Sequence, residues 1–388
     1  MTETMLAERF HAADRSITLE DIPIPHPGPG EVLVKVAYCG ICHSDLSLIS
    51  GAFPAALPVV TQGHEASGTI VELGAGVIGW KEGDRVIPSA GRPCLKCRKC
   101  RRGAFTDCLD LNLMAFAYDG AWAEYHIAQA SGMTKIPDNV PLDQAALLAD
   151  AVSTPYAAVV RTGKVHMGNA VAVWGVGGVG THLVQLAKLA GGVPVIAIDL
   201  NDAVLERAKR VGADHTLRSD DPELMQKIED ITHGRMIDVA FDAVGIKPTL
   251  RACVDSLDVD GKAVSVGLSA QDIDAGPFLN FNLQRKQVLG HLGYKSQDIA
   301  LLAEMLSYHR LDLTESISKV IPLKDVESGI AELESPPGQP DPYPGQALME
   351  RITGAVAIRC GGTFALGGIN PCSCVQPLCL SEGLQFKG

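Results

Sequence analysis

The sequence predicts an α/β protein in which a region of short antiparallel strands leads into a doubly wound parallel sheet. Three observations carry this. Alternating apolar and polar runs broken by turn clusters fill residues 17–124, strand and helix patterns alternate regularly after Val171, and a glycine-rich turn, Gly175 to Gly180, joins the first of those strands to the first of those helices.

Taken in order, Val32-Leu-Val-Lys-Val-Ala and Gly68-Thr-Ile-Val-Glu-Leu carry the two-residue period of half-buried strands, and His26-Pro-Gly-Pro-Gly is a turn. The alanine-rich residues 143–162 read as helical. Val171-Ala-Val-Trp is a buried strand, residues 181–190 a helix, and Val195-Ile-Ala-Ile the next strand; residues 203–211 are again helical, followed by strands at Val239-Ala-Phe and Ala263-Val-Ser-Val. Alternation in this order places parallel strands in one sheet with helices on both faces. At Pro336 the character changes: five prolines fall between residues 336 and 344, and the glycine- and cysteine-rich remainder reads as a tail with one candidate strand at Val356-Ala-Ile.

Composition narrows the function. A chain of 388 residues, 46% hydrophobic and 20% charged, is long enough for about two domains. With 33 Lys+Arg against 45 Asp+Glu the formal charge is -12, which argues against a nucleic-acid binder and for a small-molecule ligand. The first residues carry early acids and no apolar core segment, so a cytoplasmic location is expected. The most apolar stretch, residues 170–198, is interrupted by His182, Gln185 and Lys188, unlike a membrane span.

Gly175-Val-Gly-Gly-Val-Gly180 has the G-x-G-x-x-G spacing in the strand-to-helix context that gives it meaning. Gly175 permits the tight turn, Gly177 lets a pyrophosphate approach, Gly180 allows close helix packing, and Gly178 and Val179 lie in the same turn, which leads into the helix whose N-terminal N–H groups face the phosphates. Asp199 ends the next strand, spaced to accept hydrogen bonds from the adenosine ribose. A 2′-phosphate is repelled there, so NAD is expected over NADP.

Six of the eleven cysteines lie between Cys39 and Cys108, one is Cys253, and four crowd the end at Cys360, Cys372, Cys374 and Cys379. Cys94, Cys97, Cys100 and Cys108 fall within fifteen residues, a spacing that closes a tetrahedral four-sulfur shell around a structural metal. The basic residues of that loop, Lys96, Arg98, Lys99, Arg101 and Arg102, make a nucleic-acid knuckle the weaker reading, because only Phe105 offers stacking. Further segments are rich in donors: Gly40-Ile-Cys42-His43-Ser44-Asp45, Gly63-His64-Glu65, and Asp150 before Thr154-Pro-Tyr156. Spacing alone does not join these three. No histidine accompanies the last four cysteines, which are read as free thiols, while Cys39 and Cys253 are read as packing thiols.

In their order along residues 31–334, these segments resemble the zinc-dependent alcohol dehydrogenases of the medium-chain dehydrogenase/reductase superfamily. The resemblance implies a GroES-like β domain over residues 1–151, a Rossmann NAD-binding domain over 152–292, a return to the first domain over 293–335, and an atypical tail over 336–388. It makes Cys42, His64 and Asp150 ligands of a catalytic zinc, with Glu65 able to exchange into the shell, and Cys94, Cys97, Cys100 and Cys108 ligands of a structural zinc, two ions per chain. Zinc there acts as a Lewis acid on the substrate oxygen. Ser44 matches the hydroxyl that bonds that oxygen, His43 a position near the pyrophosphate, Thr154 one near the nicotinamide, and Val266, Gly267 and Leu268 the backbone facing the nicotinamide amide.

The implied activity is reversible hydride transfer between an alcohol and NAD+, with a small alcohol or carbonyl substrate, no nucleic-acid or membrane partner, and a homo-dimer or homo-tetramer. Asp150 stands where many members carry cysteine, and Ser47 where many carry a relay histidine. After Glu334 members usually run about a dozen residues into a closing strand, whereas this chain continues for more than fifty; Val356-Ala-Ile358 is the candidate replacement for that strand, and the prolines of residues 336–344 are the signal against it. Two other readings remain. One is a hydroxyacyl-CoA or alicyclic alcohol dehydrogenase, from the Asp150 to Arg161 segment; the other is a non-catalytic nucleotide-binding protein, which the intact donor set disfavours.

Overall fold

The strand Glu31–Ile41 organises the first domain. Its alternation buries Val32, Val34 and Val36 on one face. In the computed structural model, which describes residues 3–269, 271–334 and 355–359, it pairs antiparallel with Ala66–Leu73 along one side and with Tyr125–Gln129 along the first half of the other. The second half of that other side, Tyr38 to Ile41, is covered by a strand from the far end of the chain, Ala355–Arg359. That strand also pairs in parallel with Ile317–Pro322, so the candidate strand at Val356-Ala-Ile lies inside a seven-stranded sheet. Its Ile358 is buried. The proline run of residues 336–344 and the cysteines from Cys360 onward lie outside the described residues.

Val171–Trp174 is buried at every position, as a central parallel strand requires. It pairs in parallel with Val195–Asp199 on one side and Ile237–Asp242 on the other. His215–Arg218 flanks the first, and Leu257–Ser265 and then Gln287–Gly290 extend the second. Numbered along the chain, the six-stranded order is 3-2-1-4-5-6, with the reversal beside Val171–Trp174, where a doubly wound sheet opens its ligand crevice. Helix Gly178–Leu189 buries Leu183, Val184 and Ala187 against this sheet.

The helical region 143–162 is broken: helices Leu142–Leu147 and Ser153–Ala157 are followed by a π-helical turn, Ala158–Gly163. The break at Leu148 to Val152 places Asp150 on a turn between the two parts of the molecule. Arg161, in the π-helical turn, grips buried Asp298 of helix Ser296–Ser307 through Nε and Nη2. Buried His182 joins the same region, bonding the carbonyl of Ala151 at 2.7 Å and Ser316 Oγ at 2.9 Å.

Candidate active site and metal centres

Three separate segments converge. Cys42 ends the long strand and caps helix His43–Ser50, His64 and Glu65 precede Ala66–Leu73, and Asp150 occupies the interhelical turn. One ligand atom from each of Cys42, His64, Glu65 and Asp150 lies within 4.8 Å of the others. His64 Nε2 stands 3.5 Å from Asp150 Oδ2, near the ~3.3 Å edge expected when nitrogen and oxygen share a tetrahedral zinc at ~2.0–2.2 Å. Electrostatics agree with a cation there. Burial pushes the Cys42 thiol up, and burial with the Asp150 charge pushes Glu65 up to about 8. Burial works against the imidazolium of His64, yet the carboxylates of Asp45 and Asp150 prevail and hold it well above its ordinary range. Buried anions crowded this closely are relieved by a metal.

Ser44 Oγ lies 3.2 Å from Cys42 Sγ and 3.3 Å from His64 Nε2, beside the same space. The Thr154 hydroxyl donates to Asp150 Oδ1, orienting that carboxylate. His43 opens helix His43–Ser50. Ser47 is buried within that helix, so a proton path through this position does not reach solvent directly.

Several contributors have no motif signal of their own. Asp45 is fully buried; its Oδ2 accepts the Cys42 N–H at 2.9 Å and its Oδ1 lies 3.3 Å from His64 Nδ1, the arrangement by which a carboxylate would fix the imidazole of a metal ligand. It sits three residues after Cys42, a helix-capping spacing that is readable in retrospect. Gly40 is required by space: a Cβ there would stand 2.2 Å from Glu65 Oε2. The buried carboxyl of Glu8, in strand Thr4–His11, accepts the N–H of Gln62 at 2.8 Å, and Gln62 Nε2 donates to the carbonyl of Asp45 at 3.1 Å. Phe116 lies 6.1 Å from the His64 ring and makes an edge contact with Phe53 at 6.4 Å, forming an apolar wall. Burial pushes the Tyr294 phenol up, and the nearby Asp150 charge adds to this.

The four-cysteine lobe is the second centre. All four sulfurs lie within 4.8 Å of one another, with Cys97 Sγ 3.5 Å from Cys100 Sγ and 3.9 Å from Cys108 Sγ. Zinc–sulfur bonds of ~2.3 Å in a tetrahedron set sulfur edges of about 3.8 Å, so the shell is the right size. Backbone N–H groups point at the sulfurs, from Cys94 to Cys108 at 3.2 Å and from Cys97 to Cys94 at 3.4 Å. Such donors favour thiolate, and the N–H of Cys100 brings the Cys97 pKa down to about 6. Cys39 and Cys253 are buried elsewhere.

The glycine turn forms at the sheet crevice. Gly175 takes φ 80°, and helix Gly178–Leu189 starts directly after Gly177. A Cβ on Gly180 would lie 1.8 Å from the Gly175 carbonyl, so the third glycine is demanded by the turn itself, whereas a Cβ on Gly178 meets nothing within 4 Å. That side of the turn is open. Asp199 accepts the N–H of Val176 at 2.7 Å and of Asn201 at 2.9 Å, tying its carboxylate to the turn. Buried Arg207 braces the turn from beneath, donating to the carbonyl of Val176 at 3.0 Å and to Thr181 Oγ1 at 2.9 Å. Val266 and Gly267 follow strand Leu257–Ser265 at the same end of the sheet; their N–H groups bond the Asp242 carbonyl, and Leu268 is exposed.

The model of the alcohol dehydrogenase GroES-like domain matches residues 28–138, and that of the zinc-binding dehydrogenases matches residues 178–307. The chain is 33% identical to a sorbitol dehydrogenase of Halalkalibacterium halodurans over 72% of its own length and 80% of the relative's. It is 34% identical to an alcohol dehydrogenase of Geobacillus stearothermophilus, over 80% of its length and 91% of the relative's. Among solved structures, a zinc-binding dehydrogenase from Sinorhizobium meliloti bound to NADP superposes with a TM-score of 0.80 at 26% identity, over 92% of this chain and all of that one. Acetophenone reductase from Geotrichum candidum in complex with NAD superposes with a TM-score of 0.77 at 27% identity, over 92% of this chain and 98% of that one.

Proposed function

The chain belongs to the zinc-dependent alcohol dehydrogenases of the medium-chain dehydrogenase/reductase superfamily and is an NAD(P)-dependent alcohol or polyol oxidoreductase; from that premise we propose that NAD is its cofactor and that it holds two zinc ions. The observation that carries the cofactor reading is Asp199, whose carboxylate is anchored at the end of the second strand, the position from which an acidic residue would accept the hydroxyls of an adenosine ribose. The paired donor sets support the two ions: Cys42, His64 and Asp150 with Glu65 adjacent, and the four-sulfur lobe.

Bound at the first set, zinc supplies Lewis acidity towards the substrate oxygen. The chain does the rest. Ser44 Oγ, partly exposed beside that set and 3.3 Å from His64 Nε2, would accept the hydroxyl proton of an alcohol and pass its own to water in the cleft, and a bound nicotinamide would supply the acceptor for the carbinol hydride. Asp45 keeps His64 oriented, and Thr154 keeps Asp150 oriented. Phe53 and Phe116 exclude water from one side of the reacting carbon.

We also propose a homo-dimer or homo-tetramer and a cytoplasmic location. The sheet ends in an edge strand, Gln287–Gly290, flanked by the exposed apolar side chains Phe278, Leu279, Leu283 and Leu292. Among the described residues no helix is long and apolar enough to cross a membrane.

The deciding experiment is a panel of primary, secondary and polyhydric alcohols and their carbonyls, followed by NADH absorbance, with metal analysis of the same preparation. NAD-linked turnover and about two zinc ions per chain are expected, with activity lost when one ion is removed. Activity in a metal-free protein would refute the zinc assignment, and exclusive use of NADP would refute the cofactor assignment.

A further inference from the structure

The sheet's third strand, His215–Arg218, is its edge, and it lies beyond Val195–Asp199 on the side away from the glycine turn. In the parallel register Asp199 is directly opposite Arg218, and the N–H of Ser219 bonds the Asp199 carbonyl at 3.1 Å. A dinucleotide laid across the C-terminal ends of these strands runs from the pyrophosphate at the turn, through the ribose at Asp199, outward past Arg218. A phosphate on the ribose 2′ oxygen therefore reaches the strand end that Arg218 occupies.

Arg218, 41% exposed, is already paired there. Its Nε and Nη2 each donate to Asp220 at 2.8 Å in a two-pronged pair, and its Nη1 donates to Asp202 Oδ1 at 2.9 Å. Every nitrogen of the guanidinium is engaged. Asp202 is the first residue of helix Asp202–Arg210, and Asp220 follows the edge strand, so the two carboxylates close on Arg218 from the neighbouring loops. The nearby Arg207 cannot substitute, because it is buried beneath the turn and its Nη2 is shared among the carbonyls of Val176 and Gly177 and the hydroxyl of Thr181.

We propose that Asp202 and Asp220 are cofactor-specificity residues: by holding Arg218 they deny the adenosine 2′-phosphate a cation, so that the chain contains a caged NADP site beside its NAD site. The inference rests on the NAD reading but adds a second barrier to it. Removing Asp199 relieves repulsion at the ribose, yet leaves the arginine occupied. An isolated guanidinium at this position is the kind of group that accepts a 2′-phosphate, through short charge-assisted bonds.

The test measures binding rather than turnover. Dissociation constants are taken for NADH and NADPH by fluorescence, and for AMP and adenosine 2′,5′-bisphosphate by calorimetry, on the full chain. Variants are Asp199→Ser, the triple Asp199→Ser/Asp202→Ser/Asp220→Ser, and that triple with Arg218→Met. Asp199→Ser alone should weaken NADH and leave NADPH weak. The triple should bind NADPH and the bisphosphate about 10- to 100-fold more tightly than Asp199→Ser does, with a steep salt dependence. Arg218→Met should abolish that gain while leaving AMP binding unchanged, which also shows that the site is still folded. Full NADPH affinity from Asp199→Ser alone, or a gain that survives Arg218→Met, overturns the cage. A wild-type protein that binds NADPH as tightly as NADH instead overturns the NAD reading, and does so without reference to the variants.

Discussion

His126 and His182 are both buried neutral, burial bringing each down to about 4, with the Arg92 charge assisting at His126. Below pH ~6.5 the unfolded chain takes up protons that these two imidazoles refuse until about pH 4, so the fold loses stability as pH falls through that window. Each contributes a slope of about 1.4 kcal/mol per pH unit. Replacing His182 by Gln should flatten the urea midpoint against pH between 6.5 and 4.5 by roughly that amount; identical slopes would contradict the assignment. Asp45→Asn tests the outer shell of the catalytic centre. Losing the charge that faces His64 should cost about 10- to 100-fold in zinc retention against a chelator, with the four-cysteine ion unaffected. Equal release from both forms would reduce Asp45 to a helix cap. Neither role was legible in the sequence. Cys42, His64 and Asp150 stand in recognisable segments, but the space that Gly40 leaves for Glu65 and the contact of Asp45 with His64 exist only once separate strands are side by side.

At the scale of elements, period and punctuation located most strands and the helix after the glycine turn, because each depends on residues next to it in the chain. The helix begins three residues before its expected start, at Gly178, since the glycines themselves form its first turn. The final strand is the contrasting case. Val356-Ala-Ile reads as a candidate for the closing strand with a proline run arguing against it, and nothing near it in the chain identifies its partners as residues 38–41 and 317–322. Ending the chain after Glu334 removes a strand with neighbours on both sides and the buried Ile358, and uncovers the backbone that leads directly into Cys42. The loss should exceed about 5 kcal/mol, comparable with a domain's entire stability. A chain ending at Arg359 keeps every described element and should melt as the full chain does, with its zinc content intact. Matching melting curves for the two truncations would mean that the strand contributes nothing.

Across the whole molecule, the two halves are built from the chain in different ways. The six-stranded sheet uses one continuous stretch, from Val171 to Gly290, while the seven-stranded sheet joins strands from the beginning and the end. The Arg161 to Asp298 pair and the His182 bridge to Ala151 and Ser316 connect the two where the chain crosses between them. This division orders events during synthesis. The nucleotide-binding half can complete itself as soon as Gly290 has emerged, but Tyr38 to Ile41 wait for partners 315 to 321 residues further along the chain. At about 5–20 residues per second, that open edge persists on the ribosome for roughly 15–60 s. The segment that leads into Cys42 is thus among the last to be secured, and the nascent protein is most exposed to mispairing beside the candidate donor set.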